Sequence, residues 1–251
     1  MYYYIYDNYL AEKKYQKTLL RIESRLTDLG INGKIVKMSV LKNIGDNLNE
    51  DIAKGVKTIV VVGNDRTLNQ SINLIHNLNL PIGLIPLGPN NNLAGLMGIP
   101  EGEAACDILS SRNMQKVSLG LINQNYYFLS YLEMPGENIC INCDNNYFIN
   151  INNRKDVITI SNIYYGEDEG KVAISSNTDY LDLIIKNKVG GIFKAKKENF
   201  SHFKSKKIAI TGDKSIPVLL IDEKKIIKTP IQIEISKQKL NFITGKKRKI
   251  N

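Results

Sequence analysis

The chain has 251 residues, 43% of them hydrophobic and 24% charged, with a formal net charge of +9. This balance excludes a disordered or collagen-like chain and allows one large domain or two smaller ones, each with a core. The surplus of cations favours phosphates, acidic lipids or nucleic acid as partners, or reflects a lysine-rich composition with no particular partner.

The first residues, "MYYYIYDNYLAEKKY", carry none of the features of a secretory leader, and no run of about 18 apolar residues exists to span a membrane. A cytoplasmic protein is expected, with peripheral attachment to the inner membrane surface compatible with its charge. No aromatic RNA-binding motif, zinc finger or basic-region heptad is present, so nucleic acid is not an expected partner. Cys106, Cys140 and Cys143 cannot all pair, which suits a reduced compartment. Cys140 and Cys143 form a C-x-x-C without a second ligand pair, and His76 and His202 are isolated. No metal site is expected from them. Nothing in the sequence sets an oligomeric state.

In chain order, "YYYIYD" (2–7) reads as a strand. Tyr15, Leu19, Ile22, Leu26 and Leu29 then recur at helical spacing, and Gly30 stands where a helix-ending glycine belongs. A second strand is predicted over 33–40 and a short helix over 46–55. A third strand, "KTIVVVG" (57–63), leads into a helix beginning near Thr67, with Leu68, Ile72, Ile75 and Leu78 on one face. "PIGLIPLG" (81–88) is a fourth strand, and further helix follows within 91–99 and 103–112. This alternation predicts an α/β fold, with a parallel sheet covered by helices. In such sheets ligands bind beyond the C-terminal ends of the strands, where the loops at 63–66 and 88–92 lie.

After about residue 115 the period changes. "KVSLGLINQNYYFLSYLEM" reads as strands around an Asn-rich turn. "DVITISNIYY", "LDLIIKN", "KKIAITG", "IPVLLID", "IQIEIS" and "LNFITG" are short and often β-branched. They predict an antiparallel β-sandwich. The predicted division is an α/β domain over 1–114 and a β-rich domain over 115–251. The densest basic stretches are 193–207 and 245–249.

"VVVGNDRTLNQSIN" followed by "LPIGLIPLGPNNNLAGLMGIP" resembles the diacylglycerol kinase-like family of soluble lipid kinases. That family's pattern is a strand, G-G-D-G-T and a helix opening L-N-E, then P-L-G-I-I-P-x-G-T-x-N-D and a helix ending near "LGIP". Gly63, Asp65, Thr67, Gly88 and Asn91 keep it. Asn64 and Arg66 replace glycines, Gln70 replaces glutamate, Pro89 replaces threonine and Asn92 replaces aspartate. The N-P-x-x-G loop that usually ends the family's first strand is missing from "YDNYLAEKK". The family's late D-G-E motif corresponds to Asp222 or Glu223, without its glycine.

The resemblance implies ATP-dependent phosphorylation of a lipid hydroxyl with Mg²⁺. Asp65 would be the catalytic residue, as base or as the group that orients acceptor and metal. Gly63, Asn64, Arg66, Thr67, Gly88, Asn90, Asn91 and Asn92 would bind nucleotide. Loss of two carboxylates at Gln70 and Asn92 lowers expected metal affinity and activity. A catalytically inactive nucleotide- or lipid-binding pseudokinase is therefore the alternative, and an NAD kinase the second. Competing structural readings remain. Asp65 is also placed to cap the helix near Thr67, Asn90–Asn92 to cap the next one, and Arg66 either binds phosphate or is solvated.

Overall fold

Apolar runs form a parallel sheet in the first part of the chain: β1 (Tyr2–Tyr6), β2 (Gly33–Lys37), β3 (Thr58–Gly63) and β4 (Ile82–Pro86). The computed structural model describes residues 1–41, 45–163, 165–168, 171–174, 179–189, 197–212, 215–220 and 223–249. Contacts divide the chain into two units, residues 1–117 with 238–251, and residues 118–237.

In the first unit the strand order is β4-β3-β1-β2, all parallel. The helices are α1 (Lys13–Asp28), α2 (Met38–Leu41), α3 (Gly45–Ala53), α4 (Asp65–Ile75), α5 (Asn92–Leu96) and α6 (Ala105–Ser111). Every residue of β3 is buried. A strand buried on both faces reads as an unbroken apolar run, which is why 59–62 shows no alternation. Helix α4 turns Leu68, Ile72 and Ile75 inward, and α1 turns Ile22 and Leu26 inward. Gly30, at φ +66°, closes α1 in the left-handed conformation that glycine adopts freely. Cys106 on α6 is buried, which pushes its thiol up to about 11, so it packs rather than reacts. The strand expected over 33–40 ends at Lys37. The chain turns into α2 there, and the Ser39 N–H donates to Asn8 Oδ1 at 3.2 Å.

The second unit is built of antiparallel strands. In chain order they are β5 (Met114–Ile122, begun in the first unit), β6 (Tyr126–Phe128), β7 (Tyr131–Cys143), β8 (Tyr147–Ser161), β9 (Tyr165–Asp168), β10 (Lys171–Ile174), β11 (Leu181–Val189), β12 (Lys197–Ser205), β13 (Lys207–Gly212), β14 (Ile216–Leu220), β15 (Glu223–Ile227) and β16 (Ile231–Ile243). The main order is β12-β11-β8-β7-β13-β16, and the β14–β15 hairpin pairs with β7. Its core includes Ile141, Ile158, Ile160, Leu183, Ile210 and Val218. The Asn-rich turn is the β5–β6 turn, with Asn123 and Gln124 at φ 47° and 61°.

Strand β8 is longer than its apolar pattern, which begins only at Asp156. Most of its first nine residues are exposed, so no alternation marks them. The β7–β8 turn holds them in place through Asp144 and Asn145, at φ 52° and 59°. The Asp144 carboxylate accepts the N–H groups of Lys206 and Lys207. Residues three apart on a strand face opposite ways. Cys143 accordingly lies in the core and Cys140 on the partly exposed face, so the C-x-x-C does not converge.

The division at 114/115 assigns the C-terminal segment to the second domain. Residues 238–249 pack with the first unit instead, because main-chain bonds bring them back. Phe242 pairs with Ile82 of β4. The N–H groups of Thr244, Gly245 and Lys249 donate to the carbonyls of Asn113, Met97 and Leu96 at 2.8, 2.9 and 2.7 Å. Asp222, the side chain of Glu223 and residues 193–196 of the basic stretch lie outside the described residues. No helix among the described residues is long and apolar enough to cross a membrane.

Candidate functional site

The order β4-β3-β1-β2 contains a topological switch. From β1 the chain moves to one side to form β2 and then returns to the other side to form β3. The chain therefore leaves β1 and β3 toward opposite sides, and the crevice beyond the carboxyl ends of such strands is the usual ligand position in an open α/β sheet. The loop after β4 stands next to it.

After β3 the chain is tightly closed on itself. A Cβ on Gly63 would lie 2.5 Å from Thr67 Oγ1 and 2.7 Å from Thr67 Cβ, so glycine is required by close approach. Asn64 is not in the left-handed region where an asparagine best replaces glycine. Its φ is −109°, and it is the N-cap of α4. Asn64 Oδ1 accepts the Thr67 N–H at 3.1 Å, and Thr67 Oγ1 accepts the Asn64 N–H at 3.1 Å. This reciprocal capping box explains why α4 begins at Asp65, two residues before the expected start.

The Asp65 N–H donates to the Asn90 carbonyl at 3.1 Å, and the Leu68 N–H to the Asn64 carbonyl. The N–H groups of Asp65, Thr67 and Leu68 are thus already engaged. Among the described residues the Arg66 N–H has no acceptor. The exposed Arg66 guanidinium likewise makes no hydrogen bond or ion pair among them. Gln70 lies half-buried further along α4.

Asp65 is only 1% exposed. Its carboxylate accepts the Asn92 N–H at 2.9 Å and the Leu93 N–H at 3.2 Å. Asp65 therefore caps a helix, but it caps α5 across the crevice rather than α4. A carboxylate at a helix N-terminus makes charge-assisted bonds that neutral acceptors do not match. With the Asp65–Asn90 main-chain bond, this joins the loops after β3 and β4 into one unit.

Gly88 has φ +102°, and a Cβ there would come within 2.7 Å of the Tyr9 hydroxyl. Asn90 sits at φ +63°, exposed. Asn91 is the N-cap residue of α5 without a side-chain cap bond. Its Nδ2 donates to the Gly88 carbonyl at 2.7 Å and to Glu101 Oε1 at 3.0 Å, while its buried Oδ1 has no partner. The side chain of Asn92 is exposed; its contribution to the Asp65 link is main-chain.

The loop after β1 supplies residues that motif reading missed. Asp7 is half-buried. Its Oδ2 accepts the Thr67 hydroxyl proton at 2.6 Å, and its Oδ1 accepts the Tyr9 N–H at 3.3 Å. Tyr9 reaches the third loop, donating its hydroxyl to the Leu87 carbonyl at 2.5 Å. Burial raises the Tyr9 phenol well above its ordinary pKa, so it stays a donor. No local pattern marks Asp7 or Tyr9. The one available clue was their place immediately after the first strand of a parallel sheet.

Residues 2–122 match the diacylglycerol kinase catalytic domain. Over these residues the chain is similar to that family. The diacylglycerol kinase-like chain is also 24% identical to a protein of Staphylococcus aureus (strain Newman) named "Putative lipid kinase", over 82% of this chain and 83% of that one. Among solved structures, a diacylglycerol kinase from Bacillus anthracis str. Sterne superposes with a TM-score of 0.72 at 20% identity, covering 98% of this chain and 97% of that one. A second from the same strain, described as "a putative diacylglycerol kinase", gives a TM-score of 0.74 at 17% identity, covering 98% of this chain and 97% of that one. Its fold is thus that of the diacylglycerol kinases: a parallel sheet first, antiparallel strands after it.

Proposed function

We propose that this diacylglycerol kinase-like protein binds ATP at the crevice after β1, β3 and β4 and transfers its γ-phosphate slowly to a lipid hydroxyl. The observation carrying this reading is a pair of unanswered groups flanking the Asp65 link, the Arg66 donors on one side and the buried Asn91 Oδ1 acceptor on the other. A nucleotide offers phosphate oxygens to the first, and a ribose hydroxyl or base amine to the second. The bonded positions, Gly63, Asn64 and Thr67, shape the loop, and Gly88 and Asn90 let the chain turn beside the ligand. Asp65 is a positioning residue that holds the second loop against the first.

The family relation implies a divalent cation. Among the described residues no three Asp, Glu, His or Cys side chains converge as a metal cage. The half-buried Asp7 fits the other common arrangement, in which one carboxylate and the nucleotide's phosphates share Mg²⁺. When bound, Mg²⁺ neutralises charge on the phosphates being transferred. The chain's own residues hold the nucleotide and fix the two loops.

An anionic membrane surface is the partner that suits the acceptor. Lys246, Lys247, Arg248 and Lys249 are exposed, and none forms an ion pair among the described residues. The main chain around them is pinned to Met97 and Leu96. Each such cation contributes about 1 kcal/mol beside acidic lipid.

The burial of Asp65 favours one second reading, a pseudokinase that binds nucleotide without turnover, because a carboxylate with both oxygens bonded to main chain is poorly placed to take an acceptor proton. A phosphate-transfer assay with ATP, Mg²⁺ and acceptors in acidic or neutral vesicles, with NAD as a further acceptor, decides. Transfer to a lipid hydroxyl, faster on acidic vesicles and reduced by salt, is expected. ATP binding without transfer to any acceptor establishes the pseudokinase, and transfer to NAD alone establishes an NAD kinase.

A further inference from the structure

We propose that Asp7 is a specificity-determining residue that makes nucleotide binding depend on a divalent cation, by repelling metal-free phosphate at the loop after β3. The inference rests on the nucleotide reading above and adds to it a residue that no motif contains.

Asp7 directly follows β1 at the topological switch, and its N–H donates to the Val62 carbonyl at 3.1 Å. Its backbone thus continues the sheet and cannot swing away. The carboxylate touches the phosphate-side loop directly, through the 2.6 Å bond from Thr67 Oγ1. It takes that hydroxyl's proton inward and removes it as a donor to a ligand. Its other oxygen is held only by the Tyr9 N–H at 3.3 Å. Among the described residues no Lys, Arg or His pairs with Asp7, so its charge is not neutralised by the protein.

The other charged groups around the crevice do not substitute for it. Asp65 spends its carboxylate on the Asn92 and Leu93 N–H groups and is closed from solvent. Glu101 is exposed and accepts a bond from Asn91 Nδ2 beyond the second loop. Arg66 is the cation on the same loop as Thr67, and it attracts phosphate whether or not a metal is present. Asp7 therefore decides between nucleotide forms. Metal-free ATP is more negative than its Mg²⁺ complex and meets an uncompensated carboxylate. The complex brings a cation for which one carboxylate plus phosphate oxygens is an ordinary ligand set.

Calorimetric titration of ATP with Mg²⁺, and of ATP in chelator, tests this on the full chain. The wild-type protein is expected to bind the Mg²⁺ complex at least roughly tenfold more tightly, about 1.4 kcal/mol. Asp7→Asn, whose amide oxygen still accepts the Thr67 hydroxyl, is expected to bind metal-free ATP more tightly than wild type and to lose most of the preference. Asp7→Ser provides the same charge removal with a different acceptor, and thermal melting shows that each variant is folded. Equal affinity of the wild type for both forms overturns the proposal while leaving the nucleotide reading intact. An unchanged preference in a folded variant does the same. No binding of either form by any of the proteins overturns the nucleotide reading as well.

Discussion

Asp65→Ala is expected to lower stability by about 3 kcal/mol, visible as a drop of roughly 10 °C in melting temperature. The carboxylate is 1% exposed, and both its oxygens are engaged by the first N–H groups of α5. Truncation leaves those donors without an acceptor in a place where water does not readily replace it. Hydrogen bonds to charged groups contribute about 1.5–3 kcal/mol each, and an orphaned buried donor costs about 1–3 kcal/mol. Asp65→Asn keeps one acceptor oxygen and should lose roughly half as much. The pair separates positioning from proton transfer. If Asp65 acted only as a base, Asp65→Asn would melt like wild type and still abolish turnover. Because it joins two loops, ATP affinity should fall in step with melting temperature across the two variants. Scanning calorimetry with ATP titration checks both.

Arg66→Gly is expected to weaken ATP binding about tenfold, or about 1.4 kcal/mol. The capping box and the Asp65–Asn90 bond have already used most of the donors that a glycine-rich loop would turn toward phosphate. The Arg66 N–H and guanidinium are what remain. Charge-assisted bonds reach about 1.5–3 kcal/mol when shielded, and the exposure of Arg66 places its contribution near the low end. Arg66→Lys should recover part of the affinity, since an ammonium keeps the charge but not the planar fork. The loss should shrink as salt is raised. Tighter binding by Arg66→Gly would mean that the side chain obstructs the loop. A glycine in the first turn also costs the helix about 1 kcal/mol, so melting must be followed alongside.

Features of this protein that depend on neighbours a few residues away could be read directly. The apolar period of α1 and α4, the unbroken run in β3 and the β-branched segments after residue 115 each report local burial, and together they mark the parallel and antiparallel halves. The two motif blocks also fall, as their order implied, in the loops after β3 and β4. Features that depend on partners far along the chain could not be read. Asp65 finds Asn92 and Leu93 27 and 28 residues later. Asp7 meets Thr67 across 60 residues, and Tyr9 meets Leu87 across 78. Phe242 returns to β4, and exposed residues extend β8 with no apolar signature. A capping residue is recognisable by type, but which helix it caps is set by where the sheet places each loop. That is why Asp65 could be singled out as a cap from its sequence, while its assignment to α5 required the packing of β3 beside β4.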